Sequence, residues 1–141
     1  MTIEEFARKL RAREVTALDI TNTCLRRIDE LQPSLNAFIR VMADEARRDA
    51  QTADLELASG RDRGPLHGVP VAVKDIFCTE GIPTTAGSRI LEGYRPPYTA
   101  TAVRKLHEAG DFVITECTFV SRSPVRAAPG AGVRSASSAR A

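Results

Sequence analysis

The sequence has too few cysteines for a disulfide framework and none of the long apolar runs of a membrane protein. Its three cysteines, Cys24, Cys78 and Cys117, are scattered, which favours a reducing cytoplasm as the setting. No stretch of about 18 apolar residues is present, so we expect no transmembrane helix. The opening MTIEEFARKL carries acidic residues and lacks the apolar core of a secretory signal. With 43% hydrophobic and 27% charged residues in 141, the composition predicts a soluble globular protein of one domain.

Acidic residues are absent from the last part of the chain, where the composition changes. The net charge of the whole chain is +2, and residues 121–141 contain four arginines, so the first 120 residues carry −2. That weakly acidic body excludes an extended nucleic-acid footprint. Residues 121–141 use six residue types and contain two valines as their only sizeable apolar side chains. We predict a disordered tail, and its arginines lack aromatic neighbours that would stack on RNA bases.

The first sixty residues have the signals of three helices. Thr2 with Glu5, and Thr16 with Asp19, have the spacing of capping boxes. Pro33 is predicted to end the second helix. A third helix is predicted over roughly 41–59, with an alanine stripe on one face and Gly60 as the residue that ends it.

The second half of the body has the signals of a mixed α/β layer. Val69, Val71 and Val73 alternate with smaller residues and predict a strand, with Pro70 at its start. Residues 76–97 are rich in glycine and proline and predict a long loop of the kind that is usually functional. A helix is predicted over 101–109 with Gly110 as its stop, and a second strand over 112–114.

Lys74 is the leading candidate for chemistry, because it directly follows the apolar run VPVAV. Burial disfavours the charged form of an amine, and a neutral amine is a base. The alternative is a lysine at the end of a strand that pairs with Asp75 and keeps its charge in solvent.

The stretch around this lysine resembles the amidase signature family. The resemblance lies in PLHGVPVAVKD (65–75), TEGIPTTAGS (79–88) and TATAVRKLHEAG (99–110), and extends over about residues 1–114. CTEGIPTTAGSRIL, EGYRPPY and the early LNAF are most similar to the A subunit of tRNA-dependent amidotransferases. The resemblance implies an α/β fold in which N-terminal helices are followed by part of the family's mixed sheet.

The resemblance also implies a mechanism and partners. Members of this family use a Ser–cis-Ser–Lys triad, and Lys74 matches the lysine that acts as base. Ser88 lies in the family's TTAGS element, where it either lines the substrate pocket or satisfies a turn. The A subunit releases ammonia from glutamine and works with B and C subunits on a mischarged tRNA. ATP and Mg²⁺ belong to the B subunit, so no cofactor is expected in this chain.

The resemblance ends near Ile114, where Thr115–Thr118 stand in place of a GKTN-type segment. Thr99 also stands where the family's DAT element has an aspartate. None of the later serines lies in a GGSSGGS-like setting: Ser121, Ser123, Ser135, Ser137 and Ser138. We therefore expect residues 1–120 to be an N-terminal fragment of an amidase signature domain without amidase activity by itself. Residues 121–141 are expected to be a frameshifted segment or a true end.

Three functions are compatible with the sequence. The chain is a fragment of the amidotransferase subunit, a fragment of a general amidase that hydrolyses a small amide, or a non-catalytic interaction fragment. Cys78 as a nucleophile with His67 or His107 as its base lacks any motif. No ligand spacing links the possible metal ligands Cys24, Cys78, Cys117, His67 and His107. Neither phosphate-loop pattern, G-x-x-x-x-G-K-[ST] or G-x-G-x-x-G, is present.

Overall fold

Two capping boxes start the first two helices, as the sequence predicts. The structure is a computed structural model and describes residues 2–117. In α1 (Ile3–Arg11), the Thr2 hydroxyl accepts from the N–H of Glu5 at 3.1 Å, and the Glu5 carboxylate accepts from the N–H of Thr2 at 2.8 Å. Thr16 and Asp19 repeat this exchange at the start of α2 (Ala17–Leu35). The predicted tail over 121–141 lies outside the described residues.

Pro33 does not end α2, contrary to the sequence prediction. The helix continues to Leu35 and ends at Asn36, whose φ is 47° and whose N–H donates to the carbonyl of Gln32 at 2.8 Å. Proline removes one hydrogen-bond donor, and the carbonyl four residues earlier belongs to the exposed Asp29. Water can satisfy that carbonyl, so the last turn tolerates the proline.

A short strand, β1 (Phe38–Val41), follows α2 and was not predicted. The side chain of Gln32 brackets its first residue: the amide donates to the Phe38 carbonyl at 2.6 Å and accepts from the Phe38 N–H at 3.0 Å. The strand pairs with β3 (Phe112–Cys117), which is distant in sequence. A segment of four residues is too short for its sequence pattern to predict a strand that depends on such a distant partner.

Helix α3 (Ala43–Ala58) has the small-residue face that the sequence predicts. Ala46, Ala50 and Ala53 are buried, and this face packs against α2. Gly60 follows the helix with φ 86°, as expected for the residue that ends it. The main core cluster is Phe6, Leu10, Ala17, Leu25, Ile28, Ala46, Ala50, Ala53, Val69 and Phe112.

The sheet is mixed, which confirms the predicted α/β layer. Within residues 2–117 it has three strands in the order β1–β3–β2, where β2 is Pro70–Lys74. β3 pairs antiparallel with β1 and parallel with β2, so it is the central strand, and Pro70 is the first residue of an outer strand. Between β2 and β3 lie a long loop with a 3₁₀ turn (Arg89–Leu91) and α4 (Thr101–Glu108), followed by Gly110 with φ 89°.

The described helices do not have membrane-spanning character. None of those in residues 2–117 has the combination of length and apolar composition needed to cross a bilayer.

Candidate functional site

Lys74 lies at the carboxyl end of β2, and its side chain is exposed. The neighbouring Val73 is 5% exposed and packs in a small cluster with Val103 of α4. Because side chains alternate along a strand, burial of Val73 places Lys74 on the other face. Its ammonium is therefore available to a group that approaches from outside the described residues.

Asp75 is buried, at 2% exposure, and it does not pair with Lys74 in the part of the chain that the structure describes. Its carboxylate accepts hydrogen bonds from the N–H of Thr85 at 2.9 Å, from the Thr85 hydroxyl, and from the N–H of Gly87 at 3.4 Å. Its carbonyl accepts from the N–H of Ala86 at 3.0 Å. The residue after the candidate base therefore holds the 85–87 turn.

The predicted long loop is an ordered unit held by its own hydrogen bonds. The N–H of Gly81 donates to Pro96, that of Thr84 to Tyr94, and that of Ala100 to Cys78, at 3.1, 3.0 and 2.7 Å. Thr79, Thr84 and Pro96 are buried within it. The loop that follows Lys74 is therefore folded on itself and is not a plain connection.

Ser88 has a local partner in the structure. Its hydroxyl accepts from the N–H of Ile90 at 3.3 Å and caps the 3₁₀ turn, while its own N–H donates to the carbonyl of Thr85 at 2.8 Å. The hydroxyl is half-buried and keeps its proton free to donate. A substrate-binding role for Ser88 stays a prediction.

Cys78 lies near an aromatic hydroxyl and not near a histidine in the described contacts. Its sulfur is 3.5 Å from the hydroxyl of Tyr98, and this contact raises the pKa of Tyr98. Cys24 is half-buried, and burial raises the pKa of its thiol, so that this cysteine is a poor nucleophile. The geometry gives no support to a Cys–His pair.

His67 is the buried centre of an ionic cluster, which the sequence did not reveal. It is 1% exposed, its Nδ1 accepts from the N–H of Arg63 at 3.1 Å, and its Nε2 lies 3.2 Å from a Glu56 oxygen. Burial lowers the pKa of His67, while the hydrogen bond from Arg63 lowers the pKa of Glu56. This cluster fastens the turn before β2 to α3.

The second histidine, His107, pairs with Asp111 and lines the same cavity as His67. Nδ1 of His107 is 3.4 Å from a carboxylate oxygen of Asp111, a side chain at 1% exposure, and Asp111 raises the pKa of His107. Both histidines line a cavity of about 270 Å³ with Asp49 and Glu56. Lys74 does not line it. Within residues 2–117, no three His, Cys, Asp or Glu side chains are placed to hold a metal ion.

The sequence pattern pointed to Lys74 but did not reveal that the neighbouring Asp75 is bonded to the 85–87 turn. The dipeptide Lys-Asp suggested an ion pair, whereas the alternation along β2 separates the two side chains. The one available signal was the TTAG run, because its glycine suits a turn with left-handed backbone. Ala86 and Gly87 do have φ of 50° and 72°.

The fold is that of part of an amidase, as a family model and solved structures show. A family model described as Amidase matches residues 19–119, and the chain belongs to this family of amidase signature enzymes. The native peptide amidase of Stenotrophomonas maltophilia superposes with a TM-score of 0.78 at 35% identity, covering 84% of this chain and 24% of that one.

Among curated relatives, similarity is high to the A subunit of glutamyl-tRNA(Gln) amidotransferases. The Chloroflexus aurantiacus protein is 44% identical over 114 residues, which cover 81% of this chain and 23% of that protein. The Acidothermus cellulolyticus protein is 48% identical over 113 residues, covering 80% of this chain and 22% of that protein. The chain thus spans under a quarter of the length of these relatives.

Proposed function

We propose that this chain carries the lysine-bearing segment of the glutaminase component of a tRNA-dependent amidotransferase. The observation that supports it best is the exposed Lys74 at the end of β2, within a sequence 44–48% identical to two amidotransferase A subunits. In this proposal Lys74 is the base of a Ser–cis-Ser–Lys triad. The two serines of the triad are not identified in this chain, because no serine in residues 115–141 lies in a GGSSGGS-like stretch.

The proposed chemistry assigns one step to this chain. The Lys74 amine accepts a proton, through the bridging serine, from the nucleophilic serine that attacks the carboxamide carbon of glutamine. The C–N bond then breaks, the proton held by Lys74 passes through the bridging serine to the nitrogen, which leaves as ammonia, and water hydrolyses the resulting serine ester to glutamate. A base without a nucleophile cannot form the acyl-enzyme, so the 141-residue chain by itself is expected to be inactive.

The remaining components are also part of the proposal. A B subunit would use ATP and Mg²⁺ to activate the acyl group on a mischarged tRNA, and a C subunit would join the two. The product is the amidated aminoacyl-tRNA, which makes the complex a ligase of protein biosynthesis in the cytoplasm. The similarity to glutamyl-tRNA(Gln) amidotransferases supports this assembly.

A hybrid protein, called the amidotransferase hybrid below, tests the role of Lys74. In it, residues 1–114 of this chain replace the matching segment of the Acidothermus cellulolyticus A subunit, and the hybrid is purified with the B and C subunits of that organism. We expect glutamine-dependent release of ammonia, and a loss of about 10²–10⁴-fold for Lys74→Ala. Lys105→Ala is the matched control, because Lys105 is an exposed lysine of α4 and should leave activity unchanged.

Two results would contradict the proposal. One is full activity of the Lys74→Ala hybrid. The other is glutamine hydrolysis by the purified 141-residue chain that Lys74→Ala abolishes, since the chain would then hold a complete site.

A general amidase is the second candidate, favoured by the structural likeness to the peptide amidase. It predicts that a hybrid with the peptide amidase hydrolyses simple amides, and that the amidotransferase hybrid does not support amidation of the tRNA. Stable binding of the 141-residue chain to a B subunit without restored catalysis would favour an interaction fragment.

A further inference from the structure

Asp75 has a buried carboxylate that is held without any cation in the described residues. Its side chain receives two N–H donors and one hydroxyl from the 85–87 turn. Burying a carboxylate is costly unless its oxygens are satisfied. Three converging donors satisfy it here, so the contact is a specific attachment between the end of β2 and the loop.

The main-chain carbonyls of Lys74 and Asp75 also accept hydrogen bonds from the residues that follow. The Asp75 carbonyl accepts from the N–H of Ala86 at 3.0 Å, and the Lys74 carbonyl accepts from the N–H of Phe77 at 2.9 Å. Ala86 and Gly87 both have left-handed φ, which turns successive N–H groups toward Asp75.

The backbone of Lys74 is therefore held by the contacts of the residue before it and of the residue after it. Before it, Val73 is 5% exposed and packs against Val103. After it, Asp75 is tied to the turn ten residues further on. Only the lysine side chain itself is free to rotate, and its direction from the sheet is set by these two neighbours.

We propose that Asp75 is a positioning residue for Lys74, acting by its hold on the 85–87 turn. This inference rests on the proposed function, in which Lys74 is the base. A base must lie within hydrogen-bond reach of the hydroxyl that it deprotonates. Displacement of the base by about 1 Å costs about 10²-fold in rate, so an anchor next to the lysine has a direct catalytic consequence.

The anchor requires a carboxylate of this length. An ionised aspartate only accepts hydrogen bonds, which suits three donors. Asp75→Asn replaces one oxygen with an NH₂ group that cannot accept from Gly87, and Asp75→Ala removes every side-chain contact of the anchor. Thr85→Val removes one donor, the hydroxyl, whereas Thr85→Ser keeps it.

The kinetic test uses the amidotransferase hybrid. We expect Asp75→Asn to lower kcat about tenfold and Asp75→Ala about a hundredfold, with KM for glutamine changed less than about twofold. Thr85→Val should lower kcat and Thr85→Ser should restore it. Partial unfolding would also lower the apparent kcat with KM unchanged, so kcat is expressed per folded enzyme, measured by circular dichroism for each variant.

Asp111→Asn is the matched control. Asp111 is also a buried aspartate, but it precedes Phe112, which pairs with Pro70 at the other end of β2 from Lys74. Its kcat should equal that of the parent hybrid. Unchanged kcat in Asp75→Ala, in a hybrid that Lys74→Ala inactivates, would overturn the positioning role alone. An active Lys74→Ala hybrid would instead overturn the proposed function and this inference with it.

A measurement on the 141-residue chain keeps the inference testable if the hybrid does not assemble. The chain has three lysines, Lys9, Lys74 and Lys105, so reductive ¹³C-methylation gives three assignable lysine signals. Asp75→Ala should shift and broaden the Lys74 signal and leave those of Lys9 and Lys105 in place. An unmoved Lys74 signal would refute the anchor.

Discussion

Asp54 of α3 accepts a hydrogen bond from the backbone N–H of Ala17 at 2.7 Å, which joins α3 to the start of α2 across 37 positions of sequence. A second oxygen of the same carboxylate accepts from the N–H of Leu18 at 3.2 Å. These N–H groups at the start of α2 have no partner within their own helix. Asp54 thus completes the cap that Thr16 begins, and also fixes α3 against α2.

We predict that Asp54→Ala destabilises the protein by about 1–2 kcal/mol, the usual cost of losing a cap. The measurement is urea unfolding followed by helical circular dichroism. Asp29→Ala, at an exposed position of α2, is the control and should change the free energy of unfolding by less than about 0.5 kcal/mol. Equal effects of the two substitutions would contradict a capping role.

Gly68 is required by both its backbone and its surroundings. Its φ is 79°, and an added Cβ would lie 2.9 Å from Leu10 Cδ2 and 3.2 Å from Ala17 Cβ. We predict that Gly68→Ala costs about 2–4 kcal/mol, from left-handed backbone together with crowding. Gly60→Ala has a similar φ and open space around it, so it should cost about 1–2 kcal/mol. If Gly68→Ala and Gly60→Ala unfold at the same urea concentration, crowding around Gly68 contributes nothing to the cost.

Ala50 is fully buried where α3 packs against α2. We predict that Ala50→Leu destabilises the protein by about 1–3 kcal/mol, because the helices must separate to admit the larger side chain. Gln51→Leu adds an apolar group on the exposed side of the same helix and is the control. Unfolding of both in urea would test this, and an Ala50→Leu variant as stable as the parent would mean that the contact has room.

The two histidines should titrate on opposite sides of their ordinary pKa of 6.5. Burial lowers the pKa of His67, and the Asp111 carboxylate raises the pKa of His107. The chain has two histidines, so their ring-proton NMR signals can be followed directly and assigned with His107→Gln. Asp111→Asn should move the His107 midpoint down and leave that of His67 unchanged; two coinciding midpoints in the parent would contradict both assignments.

Because of these pKa shifts, the contributions of the two histidines to the free energy of unfolding change in opposite directions with pH. The pKa of His107 is raised in the folded state, so its contribution is complete below 6.5 and is lost as the pH rises through the folded value. The pKa of His67 is lowered, so the unfolded chain takes up its proton first and stability falls as the pH drops below 6.5. The destabilisation by His107→Gln should therefore be greatest just below pH 6.5 and be lost as the pH rises through the folded pKa of His107.

The caps of α1 and α2 and the glycines that end α3 and α4 were available from the sequence. The capping boxes at Thr2 and Thr16 and the helix ends at Gly60 and Gly110 were predicted and are confirmed. Each depends on a side chain or a φ value that acts on its own turn of backbone. Lys74 was singled out because it directly follows an apolar strand, and the resemblance of the surrounding sequence to the amidase signature family made it the candidate base.

The tertiary structure alone decided the features that join distant parts of the chain. β1 exists because β3 pairs with it, α2 passes Pro33 because its last turn is exposed, and His67 is buried because Glu56 and Arg63 meet it from α3 and the following turn. The partner of Asp75 was likewise Thr85 and not the adjacent lysine. The sequence by itself determined where α1 and α2 start and which residue bears the amine. The packing of strands and loops decided which donors reach the buried carboxylate of Asp75, because hydrogen bonds form between groups that folding brings within about 3 Å, whatever their distance along the chain.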